Sequence, residues 1–231
     1  MLILIDKRMP EEAKLELHHF GELLFIESVN ITYPAISGHP DIFFCQTKNE
    51  LVIAPNVQGN IRQQLHHNNI PFAEGELKVG KQYPETVHYN VVVTDGLLIH
   101  NPNYTDPLIL KNCSGTEIIH VKQAYTRCNL IPLENNRFIT SDKGIEKTLL
   151  GKGFEILFVH PEGILLPGFD HGFIGGCCGV HKNRLFFIGS LNSFPEGDKI
   201  RSFAKGMEII ELYDGPLFDG GSLVFIEGNK T

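Results

Sequence analysis

No stretch of this 231-residue chain is long and apolar enough to cross a bilayer, which takes about 20 consecutive apolar residues. Nor is there a secretory leader with a basic start and an apolar middle, and the apolar opening Met1–Ile5 is too short for either. No membrane partner is therefore expected. Basic residues never cluster beyond a pair and the net charge is −7, which argues against nucleic acid as a partner. No disulfide framework is spelled out. Cys45, Cys113, Cys128, Cys177 and Cys178 are odd in number and irregular in spacing, the pattern of free thiols in a reducing cytoplasm. Metal-ligand spacing is missing too. His18-His19 and His66-His67 end two predicted helices in register, but no acid or cysteine stands ready to complete a coordination shell. They read as solvated helix ends, and neither a metal nor a cofactor is expected.

What is present is a pattern that recurs five times at a spacing of roughly 46 residues. Each unit reads as a short helix, a short apolar strand, and two runs able to form a hairpin. The apolar strands are expected over 22–27, 70–74, 117–121, 155–159 and 207–212. The hairpins are expected over 41–44 with 51–54, 90–93 with 97–100, 129–132 with 137–140, and 178–180 with 185–189. A fifth inner strand starts at Ser222, and its missing partner stands at the other end of the chain, over Met1–Asp6. A repeat cut in this way closes a ring by pairing the first strand with the last, which removes two open sheet edges. Gly and Pro fall between the units and no linker interrupts them. The chain is thus read as one α/β domain over residues 1–231. Its repeats run from about 10–56, 57–103, 104–141, 142–191, and 192–231 completed by 1–9.

Three segments carry a family resemblance. His39-Pro40-Asp41 leads into Ile42-Phe43-Phe44. His171 opens a glycine- and cysteine-rich run through Gly175, Gly176, Cys177 and Cys178. Asp219-Gly220-Gly221-Ser222 precedes the last strand. With the fivefold repeat, they make the chain similar to the pentein fold, a five-bladed α/β propeller with pseudo-fivefold symmetry. That fold is shared by arginine deiminase, agmatine deiminase, dimethylarginine dimethylaminohydrolase and arginine:glycine amidinotransferase. The resemblance implies a small guanidino- or amidino-type substrate, a histidine at His171, and a nucleophilic cysteine in the last blade. The chain departs from the pattern in two places. The last blade offers Gly221, Ser222, Leu223 and Val224 with no thiol, and Cys45-Gln46 replaces the acidic pair that follows the first inner strand.

A guanidinium is planar and cationic, so carboxylates are needed to hold it, a thiolate to attack its central carbon, and a histidine to move protons. Aligning the five hairpin starts gives Asp41, Asn90, Asn129, Cys178 and Ser222 as residues expected to line one polar cavity. The alternative is that Asp and Asn simply satisfy turns there. Cys177 and Cys178 are the thiols of the expected site. Adjacent strand residues face opposite ways, and the alignment selects Cys178, with His171 as acid/base and Asp170 orienting it. The flanking glycines suggest close backbone approach to a ligand or a strained strand entry. Asp214 and Asp219 are candidates to replace the lost acidic pair. Tyr33, Tyr83, Tyr89 and Phe169 are candidates for a pocket mouth, and His88 and His100 read as structural groups. Two functions survive. One is a cysteine-dependent hydrolase or transferase acting on a guanidino compound. The other is a non-catalytic pentein that binds a small polar ligand or a protein.

Overall fold

A computed structural model describes residues 1–228 of the 231-residue chain. Strand β1 (Leu2–Asp6), helix α1 (Glu11–Leu17) and β2 (Glu22–Ile26) open it. The second unit holds the helical turn α2 (Pro40–Phe43), the hairpin β3 (Phe44–Gln46) and β4 (Leu51–Ile53), helix α3 (Gly59–His67) and β5 (Phe72–Glu74). In the third are β6 (Val92–Val93), β7 (Leu97–His100), α4 (Pro107–Asn112) and β8 (Glu117–His120). The fourth contains α5 (Thr126–Asn129), β9 (Leu130–Leu133), β10 (Arg137–Thr140), α6 (Lys143–Leu150) and β11 (Glu155–Phe158). In the last, β12 (Cys178–His181), β13 (Arg184–Phe187), α7 (Gly197–Phe203) and β14 (Glu208–Glu211) precede β15 (Val224–Ile226).

These strands form five three-stranded sheets of one design. An inner strand pairs antiparallel with a middle strand, which pairs parallel with an outer one across a helical crossover. The fifth sheet is ordered β15-β1-β2, with Leu2 opposite Ile226 and Leu4 opposite Val224. The chain's first strand is therefore the centre of its sheet. All five of its residues are buried. Among the described residues, no strand pairing joins one sheet to the next.

The crossover helices are short because each has only one sheet to cover. Ile61 and Leu65 in α3, and Ile145 and Leu149 in α6, lie four residues apart, so both members of each pair face the same sheet and are buried. Asp106 and Asp142 cap α4 and α6 by accepting the N–H groups of Leu108 and Ile145. No helix of the described residues is long and apolar enough to cross a membrane.

One local expectation is corrected. Asp41 and Asn129 do not open inner strands but sit within the four-residue helical turns that precede them. Ser222 likewise lies two residues before β15. Pro40 at the first helical position favours the turn, because its fixed φ suits a helix start.

Candidate functional site

The turns entering the five inner strands meet at a common centre and are tied together by hydrogen bonds. The Asp41 amide donates to the Gly221 carbonyl (3.0 Å) and the Ser222 amide to that of Gly176 (2.9 Å). Arg127 donates a guanidinium N–H to the Gly175 carbonyl (3.2 Å) and its own amide to the Asn90 carbonyl (3.1 Å). Asn90 completes the circuit. Its Nδ2 donates to the Asp41 carbonyl (3.2 Å) and its Oδ1 accepts the Cys128 amide (3.2 Å). This polar belt exists because backbone groups buried in a turn have no sheet partner and must find one elsewhere.

Neighbouring side chains of these turns divide between two hollows. Asp41 and Arg127 line an axial cavity of about 310 Å³, walled by aliphatic residues of the inner strands such as Val92, Val180 and Val224. His39, Ile42 and Cys128 line a second, smaller pocket of about 180 Å³, with Tyr33, Tyr125, Phe169, His171 and Phe173 around it and Asp219 reaching into it.

Asp219 is the central charge of that pocket. It is buried, and its two oxygens accept the amides of Phe173 (2.8 Å) and Gly221 (3.1 Å). Burial pushes its carboxyl up to about 7, and the nearby Asp41 carboxylate adds to the rise. His39 lies between two carboxylates, Nδ1 at 3.9 Å from Asp219 and Nε2 at 3.8 Å from Asp6. Burial pulls its imidazole down to about 4, which keeps it neutral; Asp6 opposes that shift and Arg8 assists it. Asp6 is already held by Arg8, whose Nε lies 3.0 Å from Oδ1. Asp41 accepts the Ser222 hydroxyl (2.9 Å) on Oδ2, while its buried Oδ1 has no hydrogen-bond partner among the described residues. Burial raises Asp41 to about 6, against the pull of Arg127.

The glycines of the motifs are explained by this cluster. A Cβ on Gly38 would lie 2.5 Å from Asp6 Oδ1, and one on Gly172 2.5 Å from Asp219 Cβ. On Gly176 it would strike the Asp219 carboxylate, and on Gly221 the His39 side chain. The backbone thus approaches buried carboxylates and an imidazole of the protein itself; of the glycines flanking Cys177 and Cys178, Gly176 faces Asp219, Gly175 the backbone of Arg127 and Cys128, and Gly179 Leu223. Gly221 and the buried Ser222 both adopt left-handed φ, +68° and +71°.

The residues expected to share one cavity do not all do so. Asn90 and Ser222 both bond to Asp41 in the belt. Asn129 instead bonds within its own blade, to the Tyr125 carbonyl and the Ser141 hydroxyl. Cys178 is fully buried, donates its thiol to the Gly175 carbonyl (3.5 Å), and lines neither hollow. Cys177 is equally buried, its thiol on the Phe173 carbonyl (3.2 Å). Burial pushes the Cys178 thiol up to about 11 despite Arg127, and the Cys177 thiol well above its usual range. His171 lines the aromatic pocket without a hydrogen bond to either thiol, and Asp170 is exposed, so the expected Asp170–His171–Cys178 relay has no hydrogen-bonded path. The turn before β12 points both sulfurs at its own carbonyls. Neither thiol is expected to alkylate with iodoacetamide near pH 7 in the native protein, while both should label after denaturation. Mass spectrometry of the tryptic peptides checks this, and rapid native labelling of Cys178 would contradict it.

Several other candidates are sorted by position. Tyr33 and Phe169 line the pocket, and the exposed Tyr83 stacks near Tyr125. Tyr89 is buried on the Leu77 carbonyl. Asp214 is exposed, so of that pair only Asp219 reaches the site. His88 and His100 bond to the Tyr104 carbonyl and to Thr105 with the Ala124 carbonyl. Asp6 and Arg127 are not among the residues the sequence marks out, and His39 appears there as part of a motif without a role at the site. Arg127 is nonetheless the one basic residue in the segments that form the belt, and that was a readable signal.

The fold matches solved pentein structures. Dimethylarginine dimethylaminohydrolase from Pseudomonas aeruginosa is similar over 91% of this chain and 91% of its own, at a TM-score of 0.55 and 10% identity. Agmatine deiminase from C. jejuni matches over 91% and 74%, at 0.54 and 10%. Inosamine-phosphate amidinotransferase from Streptomyces griseus matches over 97% and 82%, at 0.55 and 9%. Identities this low establish the fold alone. No curated protein matches the sequence. Residues 4–224 match the Family of unknown function (DUF6873), and the chain, a pentein by fold, belongs to that family.

Proposed function

We propose that this protein binds a small guanidino- or amidino-type cation in the aromatic pocket, with Asp219 as its counter-ion. One observation carries the reading: a buried carboxylate lies among polar groups that can all accept a hydrogen bond, and among the described residues no lysine or arginine lines the pocket. His171 places Nδ1 3.0 Å from the Gly172 carbonyl. A carbonyl only accepts, so in the neutral imidazole Nδ1 donates and Nε2 is left as an acceptor. The Tyr33 and Tyr125 hydroxyls lie 3.3 Å apart, and the Tyr125 hydroxyl is hydrogen-bonded to that of Thr86 (2.5 Å). Asp219 uses one acceptor site on each oxygen, which leaves room for further N–H donors. The aromatic rings suit a flat cation. That the solved relatives include enzymes acting on guanidino compounds agrees with this choice.

The reading is of binding without cysteine chemistry, because Cys177 and Cys178 are turned away. A second reading keeps catalysis and moves it to Cys128, whose thiol lines the pocket. That thiol donates to Asn90 Oδ1 (3.4 Å), and its acidity is suppressed by burial and by the Asp41 and Asp219 carboxylates. Calorimetric titration with methylguanidine and benzamidine separates the outcomes. Saturable binding that is lost in Asp219→Asn supports the proposal. Binding of equal strength in the variant contradicts it. Release of ammonia, urea or amine that vanishes in Cys128→Ser would favour the catalytic reading.

A further inference from the structure

We infer that the aromatic pocket selects a guanidinium or amidinium whose remaining substituent is apolar and uncharged, and that it rejects one carrying a carboxylate. This deepens the binding reading above and rests on it. The lining of the pocket is of two unlike kinds. Asp219, His171 and the tyrosine hydroxyls are polar, whereas Ile36, Ile42, Leu166, Phe169 and Phe173 offer a tail nothing but hydrocarbon. At about 180 Å³ it lies below the roughly 300–1,000 Å³ typical of drug-sized ligands, so the tail must be short.

An anionic tail would find no partner there. The nearby arginines are both committed elsewhere. Arg8 grips Asp6 and donates to the carbonyls of Pro34 and Ala35. Arg127 lines the axial cavity and donates to the carbonyls of Gly175 and Cys178. His39 is fully enclosed and stays neutral. The carboxylate that lines the pocket is Asp219, with that of Asp6 behind His39, so a carboxylate tail would be buried beside charge of its own sign with no lysine or arginine of the lining to pair it. Specificity here is built by the absence of a cation as much as by the acceptors that are present.

The test compares two compounds that share the guanidino head and differ in the tail: n-butylguanidine and 4-guanidinobutyrate. In calorimetric titration of the full chain, n-butylguanidine is expected to bind at least about tenfold more tightly. Equal or tighter binding of 4-guanidinobutyrate would overturn the inference while leaving the cation site in place. If neither compound binds, nor methylguanidine, the binding reading fails and the inference falls with it. A second variant locates the effect. Phe169 is 54% exposed at the pocket rim, so Phe169→Arg should fold and supply the missing cation. It is expected to narrow the preference by at least about fivefold. A preference unchanged by Phe169→Arg would mean that the selection is made elsewhere and would overturn the assignment to this pocket.

Discussion

Removing residues 1–6 is expected to abolish cooperative folding of the whole protein. The segment is the middle strand of its sheet, paired on one side with β15 and on the other with β2, and its loss leaves both neighbours without a partner. Leu2, Ile3, Leu4 and Ile5 are all at most 3% exposed. At about 1.5–3 kcal/mol for each buried aliphatic side chain, they contribute roughly 6–12 kcal/mol. That is comparable to the whole stability of a typical domain, about 5–15 kcal/mol. The strand also carries Asp6 into the buried charge cluster, so its removal strips His39 of a neighbour. Circular dichroism melts check the outcome. A truncated protein that melts at the temperature of the intact one would show that the two ends of the chain do not close the fold.

Gly221→Ala is expected to be the most damaging single change at the site. The residue holds φ at +68°, which costs an alanine about 1 kcal/mol, and the added methyl would strike the His39 side chain at its Cα–Cβ root, where no rotamer change gives relief. Overpacking of this kind costs about 1–3 kcal/mol more. The sum, about 2–4 kcal/mol, corresponds to a fall in Tm of roughly 4–16 °C for a protein of this size. Gly206→Ala supplies the comparison. Its φ is +104°, but nothing lies near the new methyl, so only the conformational cost applies. Equal losses in the two variants would contradict the packing of Gly221 against His39.

The architecture could be read from the sequence because each unit repeats the same short signals: a short helix, an apolar strand and a hairpin. The Met1–Asp6 strand could be assigned because the last unit lacked a partner. The site was less legible, and the reason is the turns. Four of the five inner strands are entered in three different ways: helical turns at Pro40–Phe43 and Thr126–Asn129, a tighter turn at Gly175–Cys177, and left-handed residues at Gly221 and Ser222. Aligning hairpin starts by residue type therefore slips the register. Asn129 is placed where Arg127 and Cys128 make the contacts with neighbouring blades, and Cys178 where the carbonyl of Gly175 does. The charge cluster was hidden for another reason. Asp6, His39 and Asp219 come from opposite ends of the chain, and no local pattern announces contacts over that separation. The glycine-rich motifs did mark the place. Their meaning appeared only in the fold, where the atoms opposite the missing Cβ of Gly172 and Gly176 are those of Asp219, and opposite that of Gly221 those of His39.

The central claim is that Asp219 becomes the counter-ion of a bound cation. With its carboxyl raised to about 7, Asp219 is mostly protonated at pH 6 in the free protein, and a cation can be held only after that proton leaves. Titration of methylguanidine at pH 6, in two buffers of different ionisation enthalpy, measures the proton directly. The prediction is release of about one proton per cation bound, an affinity that falls as the pH drops below about 7, and loss of both effects in Asp219→Asn. Binding with no proton exchange, or binding that persists unchanged in Asp219→Asn, would contradict it.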